Sequence, residues 1–257
     1  MTPSVLSLPL AFDARAIEKR VGLILLSTDH STEADFARLV AGPRVGLFAT
    51  RVEYANPVTH ENLRRMEPRL GAAAALLLPD EPLDAICFSC TSASVAIGDA
   101  AVEAAIAAAK PGVPVVTPPG AAARALSQFG ARRISLLTPY TVETTSGIAD
   151  YFEARGFDLA SVICLELEDD RDMARISTAS LIEAAVAATH GEAEALFVSC
   201  TALRSALIVA DVEARIGRPV VASNQATAWA CLGLCGVAPE PGLNAGRLFD
   251  MPFQLAT

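Results

Sequence analysis

The chain writes one three-part pattern twice, and this doubling limits its fold more than any other feature. "VGLILLSTDHSTEADF" is matched by "ISLLTPYTVETTSGIADYF", and "AICFSCTSASVAI" by "ALFVSCTALRSAL". "PGVPVVTPPGAAARAL" is matched by "IGRPVVASNQATAWAC". Gly22 pairs with Ile134 and Cys90 with Cys200, a spacing of about 110 residues in both cases. A spacing held over separate segments marks a duplicated structural unit rather than a chance likeness between Ala-rich helices.

Within each copy, short β-rich runs alternate with Ala-rich helical segments. Strands are predicted at 21–27, 45–50, 84–89, 113–117, 133–138, 161–166, 194–199 and 219–222. Helices are predicted near 31–41, 59–78, 92–109, 119–129, 141–155, 177–190, 202–216 and 224–235. Continuous apolar strands alternating with helices imply parallel sheets covered on both faces. The expected fold is therefore α/β, with two lobes related by a pseudo-twofold axis. Each lobe carries a four-stranded parallel sheet, and the cleft between the lobes holds the site. Residues 1–118 plus 225–257 are assigned to the first lobe and 119–224 to the second, because "RPVVAS" completes the second set of four strands.

The chain has 257 residues, 52% of them hydrophobic, enough to pack such a core. Its longest apolar runs fall short of the roughly 20 residues that span a bilayer, so no membrane partner is expected. "MTPSVLSLPLAFDARAIEK" has no basic leader and no convincing cleavage site, and no signal peptide is read there. A net charge of −9 without a basic cluster argues against nucleic acid. Six cysteines in mostly apolar surroundings fit a reducing cytoplasm better than a disulfide framework.

Cys90 and Cys200 fall at the ends of predicted strands, each at the expected start of a helix. Ligands of parallel α/β units bind beyond the carboxyl ends of strands. Helix-start N–H groups favour negative charge there, which predicts thiols acidified toward thiolate. Thr91, Ser92 and Thr201 add donors that could cradle a carboxylate. Two thiols converging from opposite lobes suit proton abstraction on one face and delivery on the other. They equally suit thiolate addition to an activated double bond. A lone cysteine is more often a small buried hydrophobe; the equivalent placement of two reverses that reading. Cys87 makes a C-x-x-C with Cys90, but Phe197 replaces it in the second copy and nothing completes a tetrahedral set, so no metal is expected. Cys164, Cys231 and Cys235 read as core packing.

On these residues the sequence resembles the aspartate/glutamate racemase superfamily, and within it the maleate isomerase and arylmalonate decarboxylase group. The resemblance runs from "RVGLILLSTDHSTE" to "RPVVASNQATAW". It implies a small carboxylate or amino acid substrate, two facing α/β lobes and no cofactor. It also implies a substrate-contacting role for Tyr140 in "LLTPYT". Because decarboxylases of the group keep only the second cysteine, Cys90 favours racemisation or isomerisation. Two positions depart from the isomerase pattern: Asp29 in "LSTDHSTE" and Asp170 in "DRDMAR" stand where substrate-binding asparagines are expected. The "STDHSTEADF" version most resembles a branch found with ectoine-utilisation proteins. An acceptor-only carboxylate at Asp29 would repel a dicarboxylate but pair with an ammonium; equally, Asp29 caps the following helix near Ser31–Glu33. His30 and Glu33 support that loop or face solvent.

Three functions follow. The first is a cofactor-independent racemase or isomerase acting on an amino acid derivative of ectoine breakdown. The second is a maleate-type cis–trans isomerase or a malonate decarboxylase. The third is a metabolite-binding regulatory protein using the same cleft. A homo-oligomer is compatible with all three.

Overall fold

The computed structural model describes residues 3–253. The first half runs β1 (Lys19–Leu26), α1 (Thr32–Leu39), β2 (Val45–Val52), α2 (His60–Arg64), α3 (Glu67–Ala75), β3 (Ala85–Ser89), α4 (Thr91–Ile97), α5 (Asp99–Ala107), β4 (Val115–Val116) and α6 (Pro118–Gln128). The second runs β5 (Arg133–Thr138), α7 (Val142–Glu153), β6 (Asp158–Cys164), α8 (Asp170–Arg175), α9 (Thr178–Ala188), β7 (Ala195–Val198), α10 (Val209–Ile216), β8 (Val220–Ala222) and α11 (Ser223–Cys235).

Two four-stranded sheets result, ordered β2-β1-β3-β4 and β6-β5-β7-β8. Every pairing in them is parallel. The repeated order is the structural form of the repeated sequence. Residues of the inner strands β3 and β7 are buried throughout, as strands covered by helices on both faces must be. Both sheets reverse direction of winding at their centre, between β1 and β3 and between β5 and β7. That switch point opens a crevice at the carboxyl ends of the strands.

Helices depart from expectation where local chemistry intervenes. The run at 59–78 is two helices, with Pro68 in the first turn of α3, where a missing N–H costs least. The run at 92–109 breaks at Gly98, whose φ of +96° suits glycine. Of 202–216 only Val209–Ile216 is α-helical, preceded by a 3-10 turn at Arg204–Leu207. Helix α8 was not anticipated. It is capped by Asp169, whose side chain accepts from the Arg171 N–H, and it carries acids at its start and Arg175 at its end. Cys164 is partly exposed, its thiol donating to Glu166 Oε1 at 3.3 Å, rather than packed in the core.

Helix α11 is the central piece. It is buried from Ser223 through Leu232, as expected for a helix enclosed on all sides. It packs against α1, β1, β3, β4 and α6 as well as β8. Cys231 of α11 and Cys87 of β3 are both wholly buried, which places them in core packing. No helix among the described residues is long and apolar enough to cross a membrane.

Candidate active site

The carboxyl ends of corresponding strands meet around one closed cavity. After β1 comes Asp29, and after β5 comes Tyr140. Cys90 follows β3 directly and Cys200 follows β7 within two residues. The segment after β2 supplies Tyr54 and Val58; α8, after β6, supplies Asp170 and Met173. Ser92 and Thr201 complete the polar lining. The enclosed space is about 20 Å³, room for about one water.

The two cysteines reach this cavity by different local structures. Cys90 has extended φ and ψ, caps α4, and accepts the Ala93 N–H at its sulfur at 3.4 Å. Cys200 does not start a helix. It sits in a tight bend with φ +101°, a left-handed value rare for a side-chain-bearing residue, and its sulfur accepts the Ala202 N–H at 3.3 Å. Tyr140 lines the same wall, with Cys200 and Ser92 close enough to act on its hydroxyl.

Neither thiol is acidified in this closed form, contrary to the expectation from helix starts. Burial pushes Cys90 up to about 12, against the pull of the Ala93 N–H and Ser92. Burial likewise raises Cys200, to about 11, where Tyr140 and the N–H groups of Ala202 and Leu203 pull the other way. Removal from water outweighs a few hydrogen bonds when the cavity is shut. Tyr140 is held well above the usual phenol range, first by burial and next by the neighbouring thiols.

Asp29 is 9% exposed and anchors its own loop. Its Oδ1 accepts from the Ser31 N–H at 3.0 Å and the Thr32 N–H at 2.9 Å, and its Oδ2 accepts from the Thr32 hydroxyl at 2.7 Å. Burial nonetheless raises its carboxyl above the ordinary range. Asp170 accepts from the Asn56 amide at 2.7 Å and from the Thr28 hydroxyl. His30 is exposed and Glu33 pairs with Arg51.

Thr91 stands apart from the other predicted residues. Its hydroxyl does not line the cavity and lies 2.9 Å from that of Ser223. Thr201 lines the cavity but spends its hydroxyl on the Ser89 carbonyl at 3.2 Å.

Sequence reasoning missed the part of the wall that the segment after β2 supplies. Tyr54 is 6% exposed, and its hydroxyl has no hydrogen-bond partner among the described residues. Asn56 closes the seam beside it. Its amide donates to Asp169 and Asp170 at 2.9 and 2.7 Å, its carbonyl accepts the Asp170 N–H at 3.2 Å, and the Val58 N–H donates to the Glu168 carbonyl at 2.8 Å. The available signal was position: "EYAN" begins just beyond β2, where the switch-point rule puts ligands.

Known proteins are similar to this chain over most of its length. Maleate isomerase of Alcaligenes faecalis is 26% identical over 246 residues, covering 90% of this chain and 96% of its own. Maleate isomerase of Pseudomonas putida is 29% identical over 241 residues, covering 88% and 96%. A liganded double mutant of arylmalonate decarboxylase superposes with a TM-score of 0.81 at 27% identity, covering 90% of this chain and 99% of that one. The sequence pattern of the arylmalonate decarboxylase family matches residues 55–249, and the chain belongs to that family, which its maleate isomerase relatives share.

Proposed function

We propose that this protein is a thiol-dependent cis–trans isomerase of a small unsaturated dicarboxylate of the maleate class. The observation that carries the reading is the convergence of Cys90 and Cys200, from equivalent strand ends of opposite lobes, on one cavity that Tyr140 also lines. Relatives matched along nearly the whole chain are maleate isomerases, which supports the same reading.

The chemistry balances without a further reactant. One thiolate adds to an alkene carbon, forming a C–S bond. The electron pair of the double bond moves to the neighbouring carbon and takes the proton of the opposite thiol. The central bond is now single and rotates. The second thiolate removes a proton, the C–S bond breaks and the trans alkene leaves, with both cysteines restored. Tyr140 and Ser92 supply hydroxyls for the carboxylates, and Tyr54 offers an uncommitted one. A cavity of about 20 Å³ is too small for a dicarboxylate, so the seam between residues 54–58 and α8 parts for substrate to enter.

Racemisation of an amino acid derivative of ectoine breakdown is the second reading. Its support is the pair of carboxyls, Asp29 and Asp170, at the cavity wall. The three hydrogen bonds that engage Asp29 locally weaken it.

Proton NMR of the protein with maleate in deuterium oxide tests the proposal. Loss of the cis vinyl signal with growth of the trans signal is expected. An inert maleate signal, with deuterium entering the α-carbon of an amino acid from a panel of ectoine-derived compounds and aspartate, would replace it with the second reading.

A further inference from the structure

Cys200 holds a backbone conformation that side-chain-bearing residues avoid, and such conformations persist only where the surroundings over-determine them. The first turn of α11 supplies that restraint. The Cys200 N–H donates to the Ser223 hydroxyl oxygen at 3.0 Å. One peptide on, the Thr201 carbonyl accepts from the Asn224 amide at 2.9 Å and from the Ser31 hydroxyl at 2.7 Å. Both sides of the cysteine are thus clamped, and Ser223, Asn224 and Thr91 are wholly buried.

The Ser223 hydroxyl also reaches 2.9 Å to that of Thr91, the residue after Cys90. One side chain therefore touches the backbone of one thiol and the flank of the other. The first copy of the repeat has no such device. Pro118 stands where Ser223 does in the aligned segments, and Cys90 has an ordinary extended φ of −152° that needs no clamp.

We infer that Ser223 is a positioning residue: through the Cys200 N–H it holds that thiol toward the Ala202 N–H and the Tyr140 hydroxyl, and through Thr91 it sets Cys200 relative to Cys90. The inference rests on the proposed chemical role of Cys200. Losing the hydroxyl lets the bend relax toward a common φ, which draws the sulfur away from the donors that favour its thiolate. The effect falls on Cys200 and spares Cys90.

The test uses the full chain and two readouts. In Ser223→Ala, iodoacetamide labelling of each cysteine, followed by peptide mass spectrometry across pH, should move the Cys200 profile upward by about half a pH unit or more. The Cys90 profile should stay in place. With maleate, kcat should fall about tenfold with KM within about twofold, the mark of displaced reacting atoms rather than lost binding. Ser223→Thr, which keeps the hydroxyl, should restore both. An unchanged Cys200 profile, or equal shifts at both cysteines, overturns the inference. If Ser223→Ala does not fold, Thr91→Val decides, since it removes the far end of the bridge at nearly constant shape: a selective Cys200 shift supports the role and none overturns it. Labelling needs no substrate, so a wild type inert toward maleate would sink the proposed function while this readout still judges Ser223.

Discussion

Thr201 donates its side-chain hydroxyl to the backbone carbonyl of Ser89 at 3.2 Å, tying the second Ser-Cys-Thr to the first. The doubled motif thus divides its labour. Each cysteine turns into the cavity, and each threonine hydroxyl turns to a partner beyond its own copy, Thr201 to Ser89 and Thr91 to Ser223. Thr201→Val should remove this link at nearly constant shape and leave the carbonyl short of one donor. A loss of about 1 kcal/mol is expected, read as a fall in melting temperature of about 2–4 °C for a chain of this size. A melting point equal to wild type would show that the bond contributes nothing.

The thiols should fail in different ways. Cys90→Ser and Cys200→Ser should each lower kcat on maleate by about 100-fold or more, since serine is a far weaker acid, base and nucleophile at neutral pH. Intact-mass spectrometry separates the roles. The variant that lost the adding thiol should show no increase in mass with maleate, whereas the variant that lost the proton donor should accumulate a covalent adduct. Full turnover in either variant would make that cysteine structural.

The seam over the cavity should set how often the thiols meet solvent. Asn56 spans it through three hydrogen bonds to Asp169 and Asp170. Asn56→Ala should favour the open form and speed alkylation of Cys90 and Cys200 by about tenfold, equivalent to about 1.4 kcal/mol. Labelling of partly exposed Cys164 should not change. Equal rates in variant and wild type would mean that another contact governs opening.

The fold was legible because its signal is periodic. All eight strands lie near their predicted positions, the buried inner ones as continuous apolar runs and the edge strands β2 and β6 as β-rich runs in the same alternation with helices. Cys90 and Cys200 were legible because the repeat set them at equivalent strand ends, whereas Tyr140 and Asp29 were reached through the family resemblance. Helix α8 was not: six residues with two buried side chains carry almost no period. The bend at Cys200 was equally hidden, since its φ is fixed by Ser223 and Asn224, more than 20 residues away in the chain. Burial, which raises both thiols, depends on how the seam closes, and no local pattern encodes that. Assigning residues 225–257 to the first lobe remains our proposal, supported by the packing of α11 on α1, β1 and β3, with residues 254–257 outside the described residues.

Asp35 gives the sharpest dependence on pH. It is 4% exposed in α1, accepting from Asn224 at 2.9 Å with Arg38 at 3.7 Å. Burial, aided by the nearby Asp29 charge, holds its carboxyl above the ordinary value of 3.8, against the pull of Asn224 and Arg38. A group that binds its proton more tightly when folded favours the native state at low pH. That contribution is complete below the unfolded value and is lost as pH rises through the folded one. At neutral pH the buried carboxylate is therefore a net cost. Asp35→Asn keeps an oxygen to accept from Asn224 and cannot ionise. Its melting temperature should exceed that of wild type at pH 7, and the gap should shrink steadily as pH falls toward 4. Other ionisable groups are common to both proteins and largely cancel in the difference. A gap that widens in acid would show that Asp35 is stabilised as the anion by Asn224 and Arg38, and one that stays constant would show that folding leaves its carboxyl unshifted.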